Sequence, residues 1–360
     1  MITFHKKATY NPDRFLISRG IDPDRAVFFD IEATGLKAAY SHLYLIGAAH
    51  RLRDGSWQIT QWMAERPQEE AALIRTFDAY LKPYTSLIHF NGNRFDIPYI
   101  LEKEEKYGLE TKIRDMKSED IYLRVRPLRK LLKMHHMNQK SLEQFMGVDR
   151  EDPYDGGQLI NVYRDWIKDG GEERLQALLL HNSEDVDGML LVMGLYAYLP
   201  LVEKSEWKSR IDEKSLILTL ELPDQLPHQV DLKCEKTGAC LFAEKDIAQI
   251  TVPCLEEELR YYFPDWKNYY YLPMEDMAIH KSVAVSVDSR YREKAKAWNC
   301  YVRKEGVFLP QPDRIYQPAF RRKETDGLHY FEVKEELVND AVFASDYAAM
   351  MVDYLARVKE

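Results

Sequence analysis

Apolar runs separated by turn signals occupy the first part of the chain, as in a sheet of short strands. The runs are AVFFDIE at 26–32, HLYLIGAAH at 42–50 and WQITQWM at 57–63. Thr34-Gly35 and Asp54-Gly55 separate them, and an Asp-Gly pair between two apolar runs favours a hairpin. The pattern therefore predicts three strands that pair in antiparallel fashion.

A helical period follows these strands. The segment from Pro67 to Tyr80 starts with proline and spaces its apolar residues three and four apart, which predicts a helix. SLIHF at 86–90 predicts a fourth strand, and a second helix is expected from about Ile97 to Tyr107. Further helical segments are expected near 120–132, 139–146, 155–167 and 172–198. This order predicts an α/β fold, a mixed β-sheet flanked by helices, similar to ribonuclease H-like domains.

The composition changes near 200–204, and different elements are expected beyond it. Strand-like pieces are SLILTLEL at 215–222, HQVDLK at 228–233, YYYL at 269–272 and SVAVSVD at 282–288, and CYVRKEGVFLPQ at 300–311 resembles a hairpin around Glu305-Gly306. A closing helix is expected at about 335–357. We therefore expect two domains, the mixed-sheet domain at 1–200 and a smaller α+β domain at 205–360.

Composition and charge narrow the function classes. Apolar residues make up 45% of the 360 residues and charged residues 30%, so the chain can bury a core. The formal net charge of -9 means that contact with nucleic acid needs a local basic patch. Four cysteines without a C-x-x-C pair suggest free thiols in a reducing compartment. No leader and no segment long enough for a bilayer are recognised, so a cytoplasmic protein without membrane contact is expected.

Two carboxylates, Asp30 and Glu32, lie at the end of the first apolar run. Residues two apart in a strand share a face, so these two charges repel each other unless a cation neutralises them. A buried carboxylate without a partner is costly. The alternative is that both lie beyond the end of the strand, in solvent.

Asp96 and Asp185 supply two further carboxylates. Asp96 follows the Asn91-Gly92 turn, where it could instead cap a helix, and Asp185 could instead form an ordinary exposed pair with His181, four residues earlier. Two acids from a first strand, one after a later strand and one on a late helix form an arrangement that can hold two divalent metal ions. Oxygen ligands select Mg²⁺ or Mn²⁺ over zinc, and such a pair of ions suits phosphodiester hydrolysis. His181 is then the candidate base for the attacking water.

Three motifs resemble those of a known family: FDIEATGL at 29–36, NGNRFD at 91–96 and HNSED at 181–185. Their order, and their positions on the predicted elements, are similar to those of the DEDD 3′–5′ exonuclease superfamily, which has a ribonuclease H-like fold. The stretch at 141–166 also resembles the YprB-like branch of this superfamily. The resemblance covers about 25–200 and implies a set of metal ligands: Asp30, Glu32, Asp96 and Asp185.

One part of the pattern departs from the superfamily. Its third motif is usually Tyr-x-x-x-Asp or His-x-x-x-x-Asp, whereas His181 stands at the tyrosine spacing. The reach of His181 to the attacking water is therefore open, and a merely positional or solvated histidine is the alternative.

Other positions take their expected roles from the resemblance. It implies that Thr34, Gly35 and Leu36 bind the substrate at its 3′-terminal nucleotide, and that Asn91 lies beside the metals and the substrate. Each of these could equally be a plain turn residue. Asp120 resembles a supporting acid, and we interpret it as a helix cap or a neighbour of the ligands.

The expected function is that of a metal-dependent 3′–5′ exonuclease acting on single-stranded or frayed nucleic acid ends. The cofactors would be two divalent metal ions, Mg²⁺ or Mn²⁺, and the partner would be DNA or RNA, which the sequence does not distinguish. A structure-specific endonuclease on the same fold is one alternative. A catalytically idle module that binds nucleic acid or protein is another, although the presence of all four acids argues against it.

The second domain interleaves basic and aromatic residues. They are Arg290, Tyr291, Arg292, Lys294, Lys296, Trp298, Tyr301, Arg303, Lys304, Arg314, Tyr316, Phe320, Arg321, Arg322 and Lys323. Cations that follow phosphates and aromatic rings that stack on bases could guide a single strand. The alternative is a solvated helix face and a hairpin with core aromatics.

Overall fold

The computed structural model describes residues 1–358. The chain divides into two units, the first made of Met1–Arg129 and Lys133–Leu199 and the second of Lys130–Leu132 and the chain from Pro200 onward. Each unit has its own sheets and its own apolar clusters.

The first unit is built on a six-stranded sheet. Its strands are β1 (Ile2–Lys7), β2 (Ala26–Ala33), β3 (Leu43–Arg51), β4 (Trp57–Met63), β5 (Ser86–His89) and β6 (Lys117–Asp120). The order is β1-β4-β3-β2-β5-β6, and β1 to β4 pair in antiparallel fashion while β5 and β6 continue the sheet in parallel from β2. This confirms the predicted mixed sheet. The pattern had not indicated the two edge strands, β1 and β6.

Helices flank this sheet, as predicted. They are α1 (Asp13–Ser18), α2 (Glu70–Leu81), α3 (Asp96–Tyr107), α4 (Ile121–Val125), α5 (Leu128–Leu131), α6 (Gln139–Phe145), α7 (Gly156–Asp169), α8 (Glu172–Val192) and α9 (Leu199–Val202). A 3₁₀ segment, Met193–Tyr198, continues α8.

Strand β2 separates two environments because its side chains alternate. Val27, Phe29 and Ile31 belong to the apolar cluster that contains the buried residues of α2 and α3. The alternate residues Asp30 and Glu32 therefore point to the opposite face of the sheet, where α8 packs on β2 and β3. The strand thus presents two carboxylates to α8.

The second unit consists of three antiparallel sheets, two short helices and one long helix. The strands are β7 (Lys208–Asp212), β8 (Ser215–Glu221), β9 (Val230–Lys233), β10 (Cys240–Glu244), β11 (Ile247–Pro253), β12 (Leu255–Tyr262), β13 (Tyr269–Leu272), β14 (Met277–His280), β15 (Glu293–Lys294), β16 (Tyr301–Gln311) and β17 (His329–Glu332). The helices are α10 (Lys281–Ala284), α11 (Glu335–Val338) and α12 (Ala341–Arg357). The sheet orders are β7-β8-β11-β10-β9, β12-β16-β17 and β14-β13-β15, so the predicted α+β class is confirmed.

Two local predictions in this unit are wrong. The segment 282–288 is not a strand, because His280 accepts a hydrogen bond from the backbone N–H of Ser282 and starts the short helix α10. Residues 300–311 do not form a hairpin. Gly306 lies within the single strand β16, opposite Glu257 of β12, so pairing with β12 outweighs the local turn signal.

The prediction that no segment is long enough for a membrane is also wrong. Glu172–Val202 is long and apolar enough to cross a bilayer by length and composition alone. However, 78% of its most apolar window is buried inside the protein. This burial is typical of a helix that forms part of a protein core.

A buried ion pair ties helices α2 and α3 to the chain that follows β2. Lys103 Nζ lies 2.7 Å from Glu70 Oε1, and both side chains are fully buried. Glu70 also accepts hydrogen bonds from the backbone N–H of Leu43 and from Tyr107 Oη, and Lys103 donates to the carbonyl of Ser41. The pair therefore fixes the end of the loop at 34–42, which leads from β2 into β3.

We expect Lys103→Met to lower the free energy of unfolding by about 3–5 kcal/mol, because it leaves the carboxylate of Glu70 buried without its main cation. Urea unfolding would measure this loss. The matched control is Lys106→Met, since Lys106 Nζ is 3.9 Å from Glu70 Oε2 and 44% exposed. That change should cost at most about 1 kcal/mol. Equal losses in the two variants would contradict the assignment.

Candidate active site

The first two acids lie within a central strand. Strand β2 runs to Ala33 and pairs with β3 on one side and β5 on the other, so Asp30 and Glu32 do not lie beyond its end. Glu32 is 9% exposed. The alternative of two solvated acids at a strand end is therefore excluded, and both carboxylates face α8.

Asp96 is the first residue of α3, but it does not cap that helix. Its Oδ1 instead accepts a hydrogen bond of 3.3 Å from the backbone N–H of Ile31, between the two acids of β2. The turn before it comes very close: a Cβ on Gly92 would lie 3.1 Å from Asp96 Oδ2 and 2.8 Å from His89 Cγ. Glycine at position 92 lets the turn reach this close to β2.

Helix α8 brings His181 and Asp185 to the same place. His181 Nε2 lies 3.2 Å from Asp185 Oδ2 and 3.5 Å from Glu32 Oε1, and His181 is only 6% exposed. One ligand atom each from Glu32, His181 and Asp185 lie within 4.8 Å of one another. The pair of His181 and Asp185 is thus part of a buried cluster, not an exposed helix pair.

Burial and mutual repulsion shift the pKa values of these acids upward. Burial raises the pKa of Asp30 well above its usual value, and the charges on Asp185, Asp96 and Glu32 raise it further. The pKa of Glu32 is raised well above its usual value by burial and by Asp185 and Asp96. Burial also raises the pKa of Asp96 to about 7, although its own backbone N–H and that of Ile31 oppose this shift. The cluster therefore carries excess negative potential that a cation would relieve.

An amide network positions Asp30. Asn182 Nδ2 donates to Asp30 Oδ2 at 3.0 Å, and Gln61 Nε2 donates to Asn182 Oδ1 at 2.9 Å and to the carbonyl of Leu179 at 2.9 Å. A Cβ on Gly47 would lie 2.1 Å from Asn182 Oδ1, so only glycine admits this amide beside β3. The roles of Gln61 and Gly47 were not predicted, because nothing local in β4 or β3 marks them, and Asn182 was recognised only as part of the motif at 181–185.

Asp152, also missed, holds the other side of the His181 ring. His181 Nδ1 and Asp152 Oδ2 are 2.6 Å apart. Glu184, one helical turn from His181, accepts the backbone N–H groups of Glu151 at 2.9 Å and of Asp152 at 3.1 Å. Helix α8 therefore carries the histidine and also fixes the loop segment that orients it.

Arg150, on the same loop, contacts the fourth acid. Its Nη1 lies 2.7 Å from Asp185 Oδ1, while Nε and Nη2 bind the carboxylate of Glu143. Its side chain is 7% exposed. A Cβ on Gly188 would lie 1.9 Å from Glu143 Oε1, so this close approach of α6 to α8 requires glycine. Arg150 leaves Asp185 Oδ2 directed toward His181.

The predicted substrate residues lie on the loop after β2. Thr34 Oγ1 accepts a hydrogen bond from the N–H of His42, and the carbonyl of Gly35 accepts one from Ser41 Oγ. These two residues hold the loop in shape. Leu36 is 85% exposed, so its side chain is available to a ligand.

Asn91 lies in the turn between β5 and α3. Its φ of 59° is in the left-handed region that asparagine tolerates, and its N–H donates to Asp120 Oδ1 at 2.9 Å. Its buried Oδ1 has no hydrogen-bond partner among residues 1–358. Asp120 caps α4 by accepting the N–H of Leu123. Asn91 is thus a turn residue whose amide oxygen is left for a further partner.

The donor set fits a divalent metal ion. Asp30 Oδ1 and Glu32 Oε2 accept no hydrogen bond from any described residue, and Asp96 and Asp185 complete the carboxylates. Hard cations such as Mg²⁺ and Mn²⁺ prefer such oxygen ligands. The repulsion that raises the carboxylate pKa values is the second reason that a cation fits.

The metal-free protein should lose stability as the pH rises from about 4 to about 7, because folding raises the pKa of Asp96 to about 7. In this range the carboxyl is ionised in the unfolded chain but still protonated in the folded one, so the folded state loses its advantage until Asp96 ionises as well. The measurement is Tm against pH in EDTA, and added Mn²⁺ should remove the loss.

Asp96→Asn in EDTA should make this decline shallower without abolishing it, because burial also raises the pKa values of Asp30 and Glu32. Glu105→Gln, which changes an exposed acid on the same helix, should leave the decline unchanged. A flat profile for the unchanged chain in EDTA would count against the repulsion among these acids.

Comparisons with known proteins agree with this fold. Residues 27–196 match the model of a family described as the RNase_H superfamily. No curated protein matches the sequence.

Two solved structures show a distant likeness. One is described as an ExoI/SSB-Ct complex, with 12% sequence identity, 61% of this chain covered and a TM-score of 0.31. The other, SSB/Exonuclease I in complex with the inhibitor CFAM, has 12% identity, 54% coverage of this chain and a TM-score of 0.30. This chain spans 55% of the length of each. The assignment to the YprB-like branch stays a prediction, while the sheet order and the family match give the first unit a ribonuclease H-like fold.

Proposed function

We propose that this chain is a metal-dependent 3′–5′ exonuclease that hydrolyses phosphodiester bonds at single-stranded or frayed ends of DNA or RNA. The observation that carries the proposal is the cluster of four carboxylates with His181 on one face of a ribonuclease H-like sheet. Bound cations would neutralise the carboxylates of this cluster. Hydrolysis of a phosphodiester is a reaction that such cations assist.

Asp30, Glu32, Asp96 and Asp185 would hold the metal ions, which the resemblance gives as two, Mg²⁺ or Mn²⁺. When bound, such ions supply Lewis acidity that makes a water nucleophilic and offsets the charge on the phosphate. The surrounding side chains orient these acids for metal binding. Asn182 orients Asp30, and Arg150 orients Asp185.

His181 is the proposed general base. Burial alone would raise the pKa of Asp152, but hydrogen bonds from His181 and from the N–H of Tyr154 lower it, so this carboxyl is ionised. An ionised Asp152 accepts a hydrogen bond from His181 Nδ1–H, so in the neutral ring the lone pair lies on Nε2, beside Glu32 and Asp185. Nε2 can then take a proton from water beside these acids. The four-residue spacing brings Nε2 to 3.2 Å from Asp185 Oδ2, which supports this role.

An exposed apolar surface beside the loop at 34–42 suits a terminal base. Leu36 and Tyr40 are 85% and 88% exposed. They line a cavity of about 260 Å³ together with Arg94, Phe95 and Tyr99. Aromatic rings and a cation are the groups that bind unpaired nucleotides without sequence preference, which supports action at an unpaired end.

End-labelled DNA and RNA oligonucleotides incubated with Mg²⁺ or Mn²⁺ should shorten by single nucleotides from the 3′ end. EDTA should stop the reaction. Asp30→Asn should slow it by about a hundredfold or more, since even indirect loss of ligand support costs 10–100-fold. Glu105→Gln serves as the matched control. Internal fragments would favour the endonuclease alternative, and binding without any product would favour the idle module.

Asp152→Asn should lower kcat by about 10²–10⁴-fold with a small change in KM, because it disturbs the tautomer of His181 without removing a metal ligand. His181→Ala should cost a similar factor, and the double variant should lose little more. The control is Asp149→Asn, an exposed acid on the same loop. Additive losses from the two single variants would show that Asp152 does not act through His181.

A further inference from the structure

A second cavity, of about 370 Å³, lies within the second unit. Its walls include Tyr262 and Phe263 at the end of β12, Trp266, and two arginines, Arg314 and Arg321. His329 of β17 also lines it. Arg314 and Arg321 belong to the basic and aromatic stretch recognised in the sequence, whereas the sequence did not mark Tyr262, Phe263, Trp266 and His329. None of these residues has a part in the acid cluster on β2.

His329 is the feature that points to a ligand. It is 3% exposed, and neither of its ring nitrogens has a hydrogen-bond partner among residues 1–358. Burial lowers the pKa of His329, and the charges on Arg314 and Arg321 lower it further, while the Gly327 backbone and the charge on Asp326 act in the opposite direction. The ring is therefore neutral and offers one donor and one acceptor. Leaving both unpaired in a protein interior is costly, so a molecule in the cavity that pairs with them would be stabilised.

The cavity has a positive balance. The residues that line it include two arginines, Arg314 and Arg321, and a single acid, Glu324. Arg314 forms no hydrogen bond or ion pair with any described residue. Arg321 lies with Cζ 4.9 Å from the ring centre of Tyr262 and donates to the carbonyl of Glu324, not to an acid. Both cations are thus available to an anionic group such as a phosphate.

Aromatic rings supply flat apolar walls beside these cations. Phe263 is held by stacking on Tyr269, with ring centres 4.3 Å apart and planes at 18°. Trp266 is half-buried against the apolar cluster of Ala278, Ala295 and Cys300. These contacts fix the rings before any ligand arrives, which reduces the entropy lost when a base stacks on them.

We propose that this cavity binds a nucleotide of single-stranded nucleic acid, with a phosphate at Arg314 and Arg321, the base against Trp266, and His329 bonded to the ligand. The volume is sufficient for one nucleotide unit. The site rests on the proposed function, because a strand bound in the second unit would be a substrate of the first. Aromatic rings with phosphate-binding cations are the usual means of holding a single strand without reading its sequence.

The test is the affinity of the full chain for a short fluorescein-labelled oligothymidylate, measured by anisotropy in EDTA so that no cleavage occurs. Arg314→Gln should weaken binding and reduce the log–log salt slope of the binding constant by about 0.7, the value for one phosphate contact on a single strand. Trp266→Ala should weaken binding by about tenfold. Lys236→Gln, an exposed cation of the same unit outside the cavity, should change neither quantity beyond a general screening effect.

His329→Leu separates binding from folding. Because it removes two unpartnered buried nitrogens, Tm should be unchanged or higher while the affinity falls. Thymidine monophosphate and inorganic polyphosphate are competitors. Competition by the mononucleotide at the same concentration as by the oligonucleotide would show a free-nucleotide site instead and overturn the proposal.

The outcomes of this test differ from those of the nuclease assay. Wild-type affinity in Arg314→Gln, Trp266→Ala and His329→Leu would overturn the cavity site even if the chain degrades oligonucleotides. Weaker binding in these variants without any degradation in Mg²⁺ or Mn²⁺ would sustain the site and overturn the exonuclease function. Loss of binding in Lys236→Gln equal to that in Arg314→Gln would also count against the cavity.

Discussion

The main physical constraint on the first unit is the repulsion among its buried carboxylates. Strand β2 carries two of these charges into the interior, and α3 and α8 add one each. Burial and neighbouring charge together hold the pKa values of Asp30 and Glu32 far above those of solvated acids. Packing of apolar side chains does not require this arrangement. Because buried charges of like sign are costly, the fold needs another interaction that compensates for them. Under the proposed function, divalent cations would supply that interaction, and with it the chemistry of phosphate.

Helix α8 carries most of the support for this cluster. From one face it directs His181 and Asp185 toward Glu32, and through Asn182 it fixes Asp30. Through Glu184 it also holds the backbone that presents Asp152 to the histidine. The proposed ligand Asp185 and the proposed base His181 thus lie on one helix, and the same helix holds the loop segment that carries Asp152.

The sequence predicted the elements that are strongly buried and regular. Strand β4 has the predicted bounds, and the acids of the three motifs lie on a strand and two helices as expected, because apolar period and turn chemistry are local signals. Asp152 and Arg150 were not found, since their roles arise from a loop returning to α8 across 30 or so residues. The hairpin predicted around Gly306 is wrong for the opposite reason. The local turn signal is present, but pairing of β16 with β12 outweighs it.

The register of β2 has a consequence for folding fidelity. Phe29 and Ile31 belong to the apolar cluster of α2 and α3, while Asp30 and Glu32 point the other way. A slip of one residue against β3 would exchange these two sets, placing both acids in the apolar layer and two large apolar side chains beneath α8. Packing of the apolar core therefore fixes the register of β2, and the same register sets the positions of the acids.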